Sequence, residues 1–338
     1  MDSITQIVLG AACGEAVLGK KLGNKALLYG AIGGTIPDLD VFLGDFLFSN
    51  EIQSMAFHRG IMHSIFFAVF ASFILGHLFY FIYSRKNINN CISKIEWIRL
   101  FFLSLFTHSL LDCFTAYGTQ IFSPFSNYRV AFNNISVVDP LYTVPFLISL
   151  ILLMFFKRSS KLRSKLLKFG FIVSGIYMIL TLINKYNVNN VFKSSLADID
   201  YIRFRSQPTI LNNILWYGIV ETESDYQYAF YSILDSDEKN IKWRKISKNH
   251  ELLSVNDDNF QTLIWFSDGF YSFSPTEDKN KFIYRDLRYP MMDENDPNSS
   301  IFSFIIKKDK DKWNIFPSNI KKPEKNNLRD FWSRLKGI

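Results

Sequence analysis

The sequence predicts an α-helical polytopic membrane bundle of about six spans, followed by a β-rich extracytoplasmic domain. Hydrophobic residues make up 48% of the 338 and charged residues 20%, with 34 phenylalanines. The apolar residues concentrate in residues 1–185, where several runs approach the roughly 20 residues that cross a bilayer. Beyond residue 190 the pattern changes to short aromatic and β-branched segments parted by Asp, Asn, Ser and Pro clusters, which is strand-and-turn patterning.

Taken in order, residues 4–18 (ITQIVLGAACGEAVL) form an apolar helix rich in small residues that starts at Asp2. Its positive charges, Lys20, Lys21 and Lys25, follow the apolar run, whereas a secretory signal would place them before it. A retained helix is expected. Residues 26–44 give a second apolar segment, broken at Thr35-Ile36-Pro37. Residues 61–83 are a third, closed by Arg85 and Lys86, and residues 97–116 a fourth. Residues 138–156 end at Lys157 and Arg158, and a last span covers about 169–184. The stretch 157–168 holds six basic residues and no acidic one. By the positive-inside rule, loops 20–25, 84–99 and 157–168 are cytoplasmic. Loops 45–60 and 117–137, the N-terminus and everything after about 185 then lie outside. The expected localisation is the inner membrane, multi-pass.

The second domain, residues 190–338, carries YIRFR, ILWYGIVE, YQYAFYSIL, TLIWF, KFIYRDL and IFSFII, expected as strands of an antiparallel meander or small barrel. A basic tail from Lys321 includes Phe331, Trp332 and Leu335. It reads either as an amphipathic helix on the membrane surface or as a frayed terminus. The cysteines, Cys13, Cys91 and Cys113, are scattered and odd in number, so neither a disulfide framework nor a thiolate metal site is expected.

Three clusters carry chemistry. Asp38 and Asp40 follow Pro37. Some twenty residues later comes His58-Arg59-Gly60-Ile61-Met62-His63-Ser64. His108 and Asp112 sit four apart in an apolar helix, on one face. Each has a bland counterpart. Asp-x-Asp after Pro is commonly a turn, Asp139-Pro140 is explained by a helix cap, His77 lies mid-span without an acidic neighbour, and His250 reads as a surface residue. Arg and two His at a membrane boundary are costly unless paired or functional, and a carboxylate inside a span calls for a cation. The clusters together therefore point to a metal site.

The motifs MDSITQ, GGTIPDLD, HRGIMHS, THSLLDCFTAYG and VDPLYTVP resemble those of the YdjM-like group of inner-membrane-associated metal-dependent hydrolases, over residues 1–185. Members of that group commonly carry a His shortly after the N-terminal Asp-x-x-Thr; here the position is Gln6. The second domain resembles an extension carried by one branch. More loosely, GGTIPDLD with the later His pairs is similar to the zinc-dependent phospholipase C enzymes.

The mechanism expected is metal-assisted hydrolysis. Asp38, Asp40, His58, His63, His108 and Asp112 would hold one or two divalent ions, zinc being favoured by the mixed imidazole and carboxylate set. Asp38 or another carboxylate is the candidate general base. Arg59, and secondarily Arg129, would neutralise an anionic substrate, Asp139 would orient a ligand histidine, and Ser64 and Ser109 would support the ligands. The substrate expected is a phosphoester or ester of a lipid or lipid-linked molecule at the outer face of the inner membrane. The bilayer is the partner, with no nucleic acid. The rival readings are a metal- or proton-coupled transporter and a membrane-anchored scaffold.

Overall fold

The computed structural model describes residues 1–86, 92–236, 241–252, 257–278, 280–309, 312–318 and 325–338. Cys91 and the first residues of the basic tail, 321–324, lie outside the described residues. The chain divides into two compact units, Met1–Ser49 with Phe57–Leu182, and Asn50–Ala56 with Ile183–Ile338.

The first unit is helical. Asp2 caps α1 (Ser3–Leu22) by accepting from Ile4 N and Thr5 N, satisfying two of the donors that a helix start leaves open. Gly23 turns the chain into α2 (Asn24–Thr35). The two helices meet backbone to backbone: a Cβ on Gly10 would lie 2.5 Å from Gly30 O, and one on Gly34 would lie 2.5 Å from Gln6 O. Only glycine permits that approach. Pro37 ends α2 and opens a 3-10 turn, Pro37–Leu39, which runs into α3 (Asp40–Leu47) after a bend of 43°. The segment that follows holds α4 (Glu51–Phe57) and a second 3-10 turn, Ile61–His63, ahead of α5 (Ile65–Lys86). A capping box of Ser93 and Glu96 starts α6 (Lys94–Asp112), and Asp139 with Pro140 starts α7 (Pro140–Met154). The last helix, α8 (Lys161–Ser195), runs for 35 residues.

Among the described residues, helix length and composition do not support six spans. α5 and α8 are long and apolar enough to cross a membrane, and the bent pair Asn24–Thr35 with Pro37–Leu47 makes up to three. The other runs are apolar for a different reason. α6 turns Trp97, Leu100, Phe101 and Leu105 into the unit's interior while carrying Lys94, Glu96, Arg99 and Asp112. α1 likewise buries Val8, Leu9, Ala12 and Leu18, and it carries Glu15, Lys20 and Lys21. α7 has 15 residues, about 22 Å of helix against a hydrocarbon core of about 30 Å. Hydropathy alone does not separate a helix buried in protein from one buried in lipid.

Away from Asp2 along α1, Glu15 and Arg163 form a bidentate pair at 2.6 Å, both side chains buried. Arg163 Nη1 also donates to Asn24 Oδ1 and to the carbonyl oxygens of Leu153 and Phe156. The pair ties α1 to α8 inside this unit.

The second unit contains two antiparallel meanders of four strands each. The first is β1 (Arg203–Pro208), β2 (Leu215–Glu221), β3 (Asp225–Ser232) and β4 (Arg244–Ser247). The second is β5 (Tyr271–Pro275), β6 (Lys281–Met291), β7 (Ser300–Asp309) and β8 (Lys312–Pro317). TLIWF, expected as a strand, belongs to α9 (Asp258–Phe266), whose start is capped by Asp257. The cap and an inward stripe of Phe260, Leu263 and Phe266 overrode strand propensity. The tail forms α10 (Lys325–Leu335), so the frayed reading does not hold. Leu335 and Phe331 pack into the core of this unit, and Arg334 pairs with Asp235 at 2.5 and 2.8 Å. Trp332 remains exposed. Ile52, from α4, is 1% exposed and packs with Phe260, Leu263, Phe273 and Tyr284, which is why Asn50–Ala56 belongs here.

Candidate metal centre

Three segments of the first unit bring four candidate ligands together. The turn that ends α2 carries Asp38, the turn before α5 carries His63, and the end of α6 carries His108 and Asp112. One ligand atom from each of the four lies within 4.8 Å of all the others. Asp38 Oδ1 stands 3.4 Å from Nε2 of both His63 and His108. Asp112 Oδ2 stands 3.4 Å from the first nitrogen and 3.6 Å from the second. The two Nε2 atoms are 3.1 Å apart.

The outer ring nitrogen of His108 fixes its tautomer. His108 Nδ1 lies 2.7 Å from the carbonyl oxygen of Gly34, which only accepts, so Nδ1 holds the proton and Nε2 presents a lone pair. His63 Nδ1 stands 3.0 Å from Asp40 Oδ2, within ion-pair distance but without a hydrogen bond. The Nε2 atoms of both imidazoles and one oxygen each of Asp38 and Asp112 face one point. His63, His108 and Asp112 are buried, and Asp112 Oδ2 accepts no hydrogen bond. Acceptors this close repel one another, which Arg59 and the Met1 amino group offset at Asp112 and a metal ion among the four would offset further. Two imidazoles and two carboxylates form a donor set for a divalent metal ion, and the residues fit one.

Asp40 and His58, also read as ligands, stand behind the cluster. Asp40 Oδ1 is 2.7 Å from His58 Nδ1, and Oδ2 accepts from Arg59 N at 2.9 Å as well as facing His63. With both oxygens engaged by protein, Asp40 stands beside His58 and His63 and outside the group of four. Asp139 is engaged elsewhere: it accepts from Leu141 N at 3.1 Å and from the Tyr177 hydroxyl at 2.9 Å. No histidine is among its partners in the described residues, and the ring hydrogen bond of His108 goes to Gly34 O. Ser64 and Ser109 bond Ile61 O and Leu105 O in their own turns. His77 packs on Phe73.

Arg59 is buried at the edge of the cluster. Its Nε lies 3.2 Å from Asp112 Oδ2, and Nη1 donates to Thr115 Oγ1 at 2.8 Å. Its backbone is left-handed, with φ of 61°, an uncommon state for a side-chain-bearing residue. It is held there by Asp40 and by Gln120 N, which donates to Arg59 O at 3.0 Å. Arg59 and Arg129 both face the ring of Tyr117, at 4.9 and 4.7 Å from its centroid. Gln6 donates to Asp112 Oδ1 at 2.9 Å and to His108 O at 3.2 Å, and the Met1 amino group pairs with the same carboxylate oxygen. Asp112 thus turns Oδ2 toward the histidines.

Sequence reasoning missed Gly34, Thr115 and Tyr117, which act through a carbonyl, a hydroxyl and a ring face. The Gly33-Gly34 pair ahead of Pro37 was the one legible signal, since glycine marks close backbone approach.

No solved structure matches this chain. Among curated proteins it is similar to the uncharacterized protein YfhP of Bacillus subtilis (strain 168), at 31% identity over 147 residues. That match covers 41% of this chain and 42% of YfhP. A family model, described as YdjM inner membrane protein, matches residues 1–188, which include every residue of the cluster and of its supports. The chain therefore belongs to the YdjM inner membrane protein family.

Proposed function

We propose that this membrane protein is a metal-dependent hydrolase acting on a phosphoester or ester of a lipid or lipid-linked substrate at the outer face of the inner membrane. The observation that carries the reading is the convergence of four ligand atoms from Asp38, His63, His108 and Asp112 within 4.8 Å. These residues would hold the ion, with zinc favoured by the imidazole and carboxylate set. When bound, such an ion supplies Lewis acidity to a substrate oxygen and acidity to a water molecule.

The remaining roles fall to the chain's own groups. Asp38 is the ligand with solvent access, its side chain 21% exposed while the other three are at 0%. It is the carboxylate placed to accept a proton from an incoming water. Arg59 neutralises an anionic group beside the cluster, and Arg129, on the other side of the Tyr117 interaction, extends that positive region. Gly34 O holds the His108 imidazole so that this ring needs no reorientation during reaction.

A lipid substrate is supported by the apolar side chains near these residues in the chain. α3, which begins at Asp40, exposes Phe42, Phe46 and Leu47. The segment that carries Arg129 exposes Phe122, Phe125 and Tyr128. Acyl chains are suited to such surfaces, and a soluble metabolite gains nothing from them.

The test is metal content and turnover of the full chain in detergent, wild type beside His63→Ala. Stoichiometric metal with hydrolysis of a lipid phosphoester, both lost in the variant, is the expected result. Faster turnover of a short-chain, water-soluble analogue in mixed micelles would overturn the lipid assignment. Metal without any hydrolysis would favour a transporter.

A further inference from the structure

We propose that one end of the first sheet, formed by the β1–β2 turn and the exit of β3, rests in the headgroup region of the bilayer. This lipid contact belongs to the second unit and does not rest on the hydrolase reading. α8 is one unbroken helix of 35 residues, about 52 Å at 1.5 Å per residue. A bilayer core takes up roughly 20 residues, so the remainder stands clear of hydrocarbon. The later part of α8 lies on the sheet, with Val188 and Phe192 buried against Trp216, Ala229 and Tyr231.

The β1–β2 turn is bonded to the earlier part, where the apolar stretch ends at Ile183. Asn184 Nδ2 donates to Asn213 O at 2.9 Å and to its Oδ1 at 3.0 Å, and Lys185 Nζ donates to Ser206 O at 2.9 Å. The turn therefore sits at the level where the helix leaves lipid. From Ser206 to Ile214 it carries no charge, and it exposes Ile210 (57%) and Leu211 (49%). β3 ends on the same side: Ile233 N donates to Ile214 O at 3.0 Å, and Leu234 beside it is 54% exposed. Tyr186, on the adjoining turn of α8, is 68% exposed, at the height where amphipathic rings collect in membrane proteins.

Leu211 adds an independent sign. Its φ of 66° is a left-handed conformation that turns normally give to Gly, Asn or Asp. A strained backbone that displays an aliphatic side chain at a turn tip is uneconomical in water. It is accounted for where the side chain has apolar surroundings, as strain is retained at sites of interaction.

The experiment places an NBD fluorophore on single cysteines introduced at Ile210, Leu234 and Ser224, with the native cysteines replaced, in the full chain reconstituted into phosphatidylcholine–phosphatidylglycerol vesicles. Ser224 is exposed in the β2–β3 turn, at the opposite end of the sheet. Lipids brominated near the headgroup should remove most of the emission from residues 210 and 234 and leave that from residue 224 unchanged. Leu234→Cys provides the reading if Ile210→Cys fails to fold. Water-like emission at residues 210 and 234, or a blue shift there without quenching by lipid, which indicates burial against protein, would overturn the proposal.

Discussion

The Nδ1 atom of His108 donates to the carbonyl oxygen of Gly34 across 2.7 Å. That bond is possible because α1 and α2 meet without side chains between them, which places the end of α2 against α6. A backbone carbonyl thus holds the His108 ring, while Asp40 stands 3.0 Å from the His63 ring with no hydrogen bond between them. Replacing Gly34 by Ala should separate the helix pair, since the added carbon would lie 2.5 Å from Gln6 O. We expect a lower thermal transition and lost metal together.

Asp40→Asn should keep the fold and weaken metal affinity by ~10- to 100-fold, the usual effect of removing an outer-shell carboxylate. Competition with a chromogenic chelator measures it. Unchanged affinity would show that Asp40 does not act through His63.

His63→Ala, His108→Ala and Asp112→Ala should each lower metal occupancy and activity together, by ~10-fold or more, judged by what even outer-shell changes cost. His77→Ala should leave both intact. Equal losses across the two groups would indicate a folding defect in place of a ligand role.

Arg59→Ala should retain metal and raise KM for anionic substrates while affecting neutral esters much less, because it removes a charge beside the cluster and no ligand. Steady-state kinetics on a matched phosphoester and carboxylic ester separate the two effects.

The Glu15–Arg163 pair gives a stability prediction free of the metal. Arg163→Ala leaves a buried carboxylate uncompensated, a loss of ~3–5 kcal/mol, while joint replacement of both residues by Met should recover much of it. Thermal unfolding in detergent, with metal content as the control, checks both.

Much of this was legible in the sequence and some was not, for identifiable reasons. The four clustered residues Asp38, His63, His108 and Asp112 were legible because ionisable residues in apolar runs are expensive and so conspicuous. Their ranking was not. Asp40 lies two residues from Asp38 and His58 five from His63, and only the fold shows which carboxylate faces the cluster and which stands behind a histidine. The change to β structure near residue 190 was legible from composition, yet TLIWF was misassigned because a five-residue apolar run is ambiguous without its cap. The count of six spans found no support at α1, α6 and α7, which are too short or too charged to pass by length and composition.

The excursion at α4 has a consequence for biosynthesis. The chain leaves the first unit after Ser49, lends Ile52 to the core of the second, and returns at Phe57. During translation that loop emerges early, while α9, β5 and β6, which will shelter Ile52, are still unmade. The segment between Asp40 and the histidines beside it must therefore wait, with an aliphatic side chain uncovered, for the end of synthesis. Removing the second unit by truncation would leave that wait without an end. A shortened gene product is thus a candidate for chaperone retention or proteolysis even where each remaining helix is intact.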